Sequence, residues 1–432
     1  MGVGSPVTTG RASSGATVFD LRVGLPSVTG LRPSGFHHPH FEHELDKTTG
    51  SLARADNLVK PLFDGQNSFA ERAVLIAAAK TSIHLQTFIF ADDDTGWDLA
   101  RSLVDRAKAG IAVRVIIDGL GCSRADPKLF EMMREGGVDV RAFETGVDLL
   151  SVNNRWHEKH LVIDGKVAIE GGMNIADEYA FGGSFKMVSR QQETSTEAWS
   201  DVDVRVEGAA VHDVQRAFVR NWALLGDAVP QHEMAALFAA PTKAPGGPSV
   251  RVVQHHPHGD PPDDHTMQLY LRCIRAATRN INIETAYFVP PKALREALID
   301  AARRGVEVKV MTNSKGSSDM GFVVDAARYF YDELVSAGVK IHEKTGGTLH
   351  SKTATFDGAY SIIGSCNLNG RSDGRDTESV VGIRDDKTAA ALVARFAEGS
   401  AAAHHVSAAE LNKDSFVSDL KQWAISTLAW TL

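Results

Sequence analysis

Cysteine is scarce in this chain: 432 residues hold three, Cys122, Cys273 and Cys366. They are odd in number and far apart. That spacing fits neither a disulfide framework nor a familiar zinc-ligand set, and it suits a reducing compartment. Long hydrophobic runs are missing too. No window approaches the roughly 18 uninterrupted apolar residues of a membrane-crossing helix. The opening MGVGSPVTTGRASSG lacks an apolar stretch behind a basic start, so no standard secretory leader is expected. Nor is there a basic excess: 46 Lys and Arg stand against 54 Asp and Glu, a net charge of -8. A protein held by phosphate backbones needs positive charge, at least locally, and this balance argues against a nucleic-acid partner. What is present is 43% hydrophobic and 23% charged residues, the composition of a globular protein that can bury large cores. The length suits two or three domains.

The pattern along the chain is a duplicated α/β unit. Residues 1–50, rich in Gly, Ser, Thr, Pro and His, show no sustained periodicity and are expected to form a flexible or loosely docked arm. Period and punctuation then predict a helix over 69–80 and a strand over 81–90 (TSIHLQTFIF). A helix over 95–110, stopped by Gly110, and a buried strand over 111–118 follow. The same order returns over 269–280, 281–289 and 290–314. Equivalent positions drift from 198 residues apart (Thr81/Arg279) to 193 (His157/His350), as short loop deletions produce. The expected boundaries are a first domain over 51–228, a linker over 229–250 containing APTKAPGGPSV, a second domain over 251–410 and a C-terminal amphipathic helix over 411–432.

One motif occurs in both halves. HEKHLVIDGKVAIEGGMN (157–174) and HSKTATFDGAYSIIGSCN (350–367) agree at six polar or glycine positions with identical spacing. These are His157/His350, Lys159/Lys352, Asp164/Asp357, Gly165/Gly358, Gly171/Gly364 and Asn174/Asn367. At about one in twenty per identity, chance at any one alignment is on the order of 10⁻⁸. On a strand, His and Lys two residues apart share a face. Asp-Gly supplies a two-residue hairpin turn. The return strand ends at Gly171-Gly172 or Gly364-Ser365, where small side chains let a ligand approach the backbone, and Ser365 could touch phosphate itself. Asn174 and Asn367 stand just beyond as amide donors. Gln86 and Glu284, at equivalent places on the first strand of each half, could line the same cleft or pair with backbone groups.

Two such sets facing each other suit phosphodiester transfer. Paired lysines neutralise the non-bridging oxygens. One neutral imidazole attacks phosphorus while the other protonates the leaving alcohol, and water or a second alcohol then resolves the phosphohistidine. No metal or other cofactor is needed for that scheme. The histidine-rich stretches FHHPHFEH (36–43) and QHHPH (254–258) are interrupted by proline and fit no familiar ligand set.

The paired HxKxxxxD elements resemble the phospholipase D superfamily. The segments DDTGWDLARSLVDRAKAGIAVRVIIDGLG (93–121), WSDVDVRVEGAAVHDVQRAFVRNW (199–222) and INIETAYFVPPKAL (281–294) are similar to its bacterial cardiolipin synthase-like branch. The likeness spans about residues 60–395. It implies an α/β fold of two pseudo-twofold α/β/α sandwich domains, each with a mixed sheet, and one active site in the cleft between them. It also implies a carboxylate orienting each histidine, at Asp201 after the first motif and Glu378 after the second. Asp164 and Asp357 would then mainly hold the turns, His157 would be the nucleophile and His350 the acid and base. The implied activity is a phosphatidyltransferase making cardiolipin from phosphatidylglycerol and a second phospholipid. Hydrolysis to phosphatidic acid, in the manner of a delivered effector, is the alternative, and cleavage of nucleic acid a second one.

Such an enzyme needs a phospholipid substrate at a membrane surface but no obligate protein partner. It would be placed in the bacterial cytoplasm, peripheral to the inner membrane. Two stretches are candidates for contact with lipid: residues 413–432, with Phe416, Leu420, Trp423 and Leu428 on one helical face whose alternative is packing on the domain, and Phe181, Phe185 and Met187 after the first motif.

Overall fold

Two mixed β-sheets carry the molecule, and both follow one plan. The computed structural model describes residues 35–143, 154–180, 199–259 and 261–411. The first half supplies β1 (Leu58–Phe63), β2 (Ser82–Thr87), β3 (Ala112–Asp118), β4 (Asp139–Phe143), the two-residue β5 (Arg155–Trp156), β6 (His160–Ile163), β7 (Val167–Gly171) and β8 (Val202–Glu207). The second supplies β9 (Ser249–His255), β10 (Asn280–Glu284), β11 (Glu307–Asn313), β12 (Lys340–Lys344), β13 (Thr353–Phe356), β14 (Tyr360–Gly364), β15 (Asp376–Arg384) and β16 (His404–His405). The first sheet runs β1-β8-β7-β6-β2-β3-β4. The second runs β9-β15-β14-β13-β10-β11-β12, with β16 added at its edge. The order is the same strand for strand, which is the duplication seen in three dimensions. Within each sheet, β2 to β4 and β10 to β12 pair in parallel and the hairpin strands pair antiparallel.

Sequence dictates most of this locally. Every residue of β2 is buried, as a strand covered on both faces requires. The helix Asp94–Lys108 begins with the Asp93 side chain accepting from Gly96 N at 2.9 Å, an N-cap. It ends before Gly110 at φ 85°, and its counterpart Lys292–Arg303 ends before Gly305 at φ 90°, the left-handed stop that glycine supplies. The motif hairpins turn through Asp164-Gly165 (φ 54° and 62°) and Asp357-Gly358 (φ 53° and 63°), two successive left-handed residues as a type I′ turn demands.

Three expectations need correction. The expected arm over 1–50 is not loose at its far end. Residues Pro39–Thr48 form a helix, and Phe36, Phe41 and Leu45 are buried in the core of the second half. Burial of such side chains contributes about 2 kcal/mol each, enough to order a short helix. The expected linker over 229–250 contains the helix Gln231–Leu237, whose Leu237 is buried. His157, Lys159, His350 and Lys352 precede β6 and β13 rather than lying on them. The C-terminal helix over 413–432 and the contact residues Phe181, Phe185 and Met187 lie outside the described residues. Among the described residues no helix is long and apolar enough to cross a membrane.

Candidate active site

The two halves meet through the motifs. Short β5 leaves its own half and pairs in parallel with β15, placing Arg155 opposite Asp376 and Trp156 opposite Thr377. His157 N then donates to Thr377 O at 3.0 Å. The mirror arrangement joins Ser200 to Leu349 in a parallel bridge, with His350 N donating to Ser200 O at 2.7 Å. Each histidine is thus delivered beside the segment that carries the other half's carboxylate.

That crossing decides the partners. Nδ1 of His157 lies 3.1 and 3.0 Å from the two carboxylate oxygens of Glu378. Nδ1 of His350 lies 2.7 Å from Oδ2 of Asp201. Both carboxylates are 0% exposed. Burial alone would raise them, but the His157 side holds Glu378 down at about 2, and His350 with Lys352 holds Asp201 below its ordinary value. Ionised carboxylates take Nδ1–H, so each ring presents a lone pair at Nε2. Burial pushes both imidazoles down to about 4 against the pull of those carboxylates.

Lys159 and Lys352 are both buried. Each Nζ donates to the carbonyl oxygen of its own motif histidine. Burial lowers Lys159 to about 7 and Lys352 to about 8. His157 feels the charge of Lys352 and His350 that of Lys159, so the two sets share one electrostatic field. A cavity of about 330 Å³ opens over them, lined by both histidines, Asn174, Asn367, Tyr179, Arg371 and Asp376 on its polar side. Phe88, Trp199, Met320, Phe322 and Val323 make much of its apolar wall.

Other expected residues stand elsewhere. Ser365 does not face the cavity wall as a phosphate ligand: its Oγ donates to Glu378, which also accepts from Ser372 Oγ at 2.6 Å. Gly172 makes room rather than contact, since a Cβ there would stand 2.5 Å from Oδ1 of Asp201. Gln86 donates to Glu158 at 2.9 Å within a buried polar cluster, away from the cavity lining. Glu284 is buried, and its Oε2 has no partner among the described residues, but it does not line the cavity. Asp164 accepts from the backbone N–H groups of Lys80, Thr81 and Ser82, and Asp357 from those of Thr278, Arg279 and Asn280. Both pin the hairpin turn to the start of the neighbouring strand, so the reading of these aspartates as turn anchors fits and their grouping with the catalytic residues does not.

Sequence reasoning missed Tyr179. It follows Asn174 by five residues, as Ser372 follows Asn367, and aligning the halves past the asparagines would have exposed the pair. Tyr179 is 2% exposed and its hydroxyl lies 3.4 Å from Nε2 of His350.

Two carboxylate-held imidazoles on one cavity, each with its motif lysine buried against its own backbone carbonyl, define a phospholipase D-type phosphotransfer enzyme. The family described as cardiolipin synthase, PLD-like domain, matches twice, over residues 73–218 and 270–399. The cardiolipin synthase of Clostridium perfringens strain SM101 is 30% identical over 366 residues, 82% of this chain and 73% of that protein. The major cardiolipin synthase of Bacillus subtilis is 32% identical over 356 residues, 79% of this chain and 69% of its own. The chain belongs to this family. Its fold is that of the phosphatidylserine synthase of Haemophilus influenzae, with a TM-score of 0.69 at 17% identity over 91% of this chain and 99% of that one.

Proposed function

We propose that the protein transfers the phosphatidyl group of phosphatidylglycerol, through a phosphohistidine, to the hydroxyl of a second phospholipid, giving cardiolipin and releasing glycerol. In the first half-reaction the Nε2 lone pair of His157 forms the N–P bond. The P–O bond to glycerol breaks, and Nε2–H of His350 gives that oxygen its proton. In the second, His350 takes the proton of the incoming hydroxyl, whose oxygen displaces His157. Lys159 and Lys352 offset the charge of the non-bridging oxygens. Asn367, whose Oδ1 has no partner among the described residues, lines the cavity as a substrate contact, whereas Asn174 acts through Tyr179.

The observation that carries this reading is the pair of crossed His–carboxylate contacts opening on one cavity. The division of roles rests on a difference between the rings. Among the described residues nothing hydrogen-bonds Nε2 of His157, while Nε2 of His350 is engaged by Tyr179. The relatives' names supply the lipid product, and the apolar cavity wall, with Phe322 38% exposed, suits acyl chains entering from a membrane to which the enzyme binds peripherally. Incubation with phosphatidylglycerol vesicles tests the proposal. Cardiolipin with stoichiometric glycerol is expected; phosphatidic acid alone makes the protein a hydrolase, and cleavage of DNA without action on lipid overturns the reading.

A further inference from the structure

The hydrogens around Tyr179 can be accounted for one by one. Ile89 N–H donates to Oδ1 of Asn174 at 3.1 Å, which fixes the orientation of that amide. Nδ2 of Asn174 therefore donates to the Tyr179 oxygen, at 2.9 Å. The phenol's own hydrogen must go elsewhere, and Nε2 of His350 lies 3.4 Å away. Burial raises the Tyr179 hydroxyl well above its ordinary range, so it keeps that hydrogen. Asp201 takes the hydrogen on Nδ1 of His350, leaving the Nε2 lone pair as acceptor. Lys352 Nζ sits 2.9 and 3.1 Å from the two ring nitrogens. Near-equal distances to both place it over the ring face, off the in-plane lone pair. Its counterpart in the other half, Ser372, spends its hydroxyl on Glu378 instead.

We propose that Tyr179 is a further catalytic residue, its hydroxyl held by Nε2 of His350 while the cavity is empty and turned to a non-bridging phosphoryl oxygen once His350 carries the proton. This rests on the phosphotransfer reading above. An anionic phosphodiester in the cavity favours protonated His350, which takes that proton from solvent as the substrate binds. Nε2–H then cannot accept from the phenol, whose hydrogen turns to the phosphoryl oxygen while its oxygen still accepts from Asn174. When Nε2–H passes its proton to the leaving glycerol oxygen, the N–P bond to His157 forms and the P–O bond breaks. The phenol hydrogen then returns to the neutral ring. Tyr179 keeps its proton throughout, and the incoming hydroxyl later returns to His350 the proton given to glycerol, so the cycle balances with that one solvent proton. The hydroxyl thereby acts as a donor to the pentacoordinate phosphorus and as a gate that keeps His350 unprotonated until substrate arrives.

Tyr179→Phe tests this with two substrates, phosphatidylglycerol vesicles and bis(p-nitrophenyl) phosphate. The expected result is a loss of kcat on the order of 100-fold on both, with KM little changed, as for one missing oxyanion donor. The titration of His350, followed by ring-nitrogen NMR, should move to higher pH because the neutral ring has lost a donor. Wild-type kcat with an unmoved titration overturns the inference. So does a loss confined to phosphatidylglycerol, since the hydroxyl would then serve the leaving oxygen. Wild-type protein inert on both substrates sinks the phosphotransfer reading instead, while the titration still tests the hydrogen bond. Should the variant fail to fold, the wild-type His350 titration with and without vanadate decides: an upward shift on binding is expected, and no shift overturns the gate.

Discussion

The two halves repeat their strand order and motif spacing, yet they hold their histidines by different means. Glu378 reaches His157 with the longer side chain and is itself pinned by the hydroxyls of Ser365 and Ser372. Asp201 is shorter by one methylene, accepts from the backbone N–H of Val202 at 2.7 Å, and fits against His350 only because Gly172 has no Cβ. What the duplication preserves is a charge at Nδ1, while the atoms delivering it differ. Sequence symmetry hides this functional asymmetry, because a match at His, Lys and Asn says nothing of what engages each Nε2.

The widest test of the comparison is to remove each ring. His157→Ala is expected to lose activity by about 10⁴-fold or more on every phosphodiester and to yield no phosphoenzyme. His350→Ala should lose comparably on phosphatidylglycerol but recover much of its first turnover on bis(p-nitrophenyl) phosphate, whose leaving group needs no proton. Acid-quench labelling and burst kinetics on both variants measure this. Label on the His157→Ala protein would reverse the assigned roles.

Exchanging the small residues probes the same asymmetry more finely. Gly172→Ser puts a Cβ where it must displace the Asp201 carboxylate, and a mis-set orienting partner costs about 10–100-fold. Ser365→Gly takes one of two hydroxyls from Glu378 and leaves Ser372 in place, so a loss of only a few fold is expected, the low end of a net hydrogen bond at about 0.5–1 kcal/mol. Steady-state kinetics on a soluble diester compare them. Equal losses would mean that the carboxylates are held alike.

Much of this was readable in residues alone, for identifiable reasons. The hairpin turns follow from Asp-Gly, the helix stops from Gly110 and Gly305, and the paired HxK elements from spacing, all of them local or periodic signals. The crossing of the carboxylates was not readable, because it depends on β5 leaving its own half for β15 across 221 residues of sequence between His157 and Glu378. Ser365 and Gly172 were placed in the right neighbourhood but given the wrong contact, since a small residue looks the same in sequence whether it admits a ligand or a neighbouring side chain. The helix Pro39–Thr48 was overlooked because the apolar residues in and just before it, Phe36, Phe41 and Leu45, are spread among histidines and prolines, and only the second half's core supplies the surface that orders them.

The smallest expected effect lies in stability, and it again separates the halves. Burial lowers Lys159 to about 7 and Lys352 to about 8 from an ordinary 10.5. Between those values and 10.5 the unfolded chain holds protons that the folded chain has released, so stability rises with pH through that window and the cost of the buried charge is fully felt below it. The depressed histidines act in the same sense from about 4 to 6.5: the contribution of their neutral forms is present above 6.5 and lost as pH falls through 4. Replacing a lysine with methionine should therefore abolish activity yet raise the melting temperature at pH 7 by a few degrees, roughly what 1 kcal/mol gives a large domain. Lys159→Met should gain more than Lys352→Met, because its ammonium is the further displaced, and both gains should shrink toward pH 10. Thermal denaturation at pH 7 and pH 10 measures this. Destabilisation of both variants at pH 7 would show that the ammonium groups hold the two halves together and are not a cost accepted for binding phosphate.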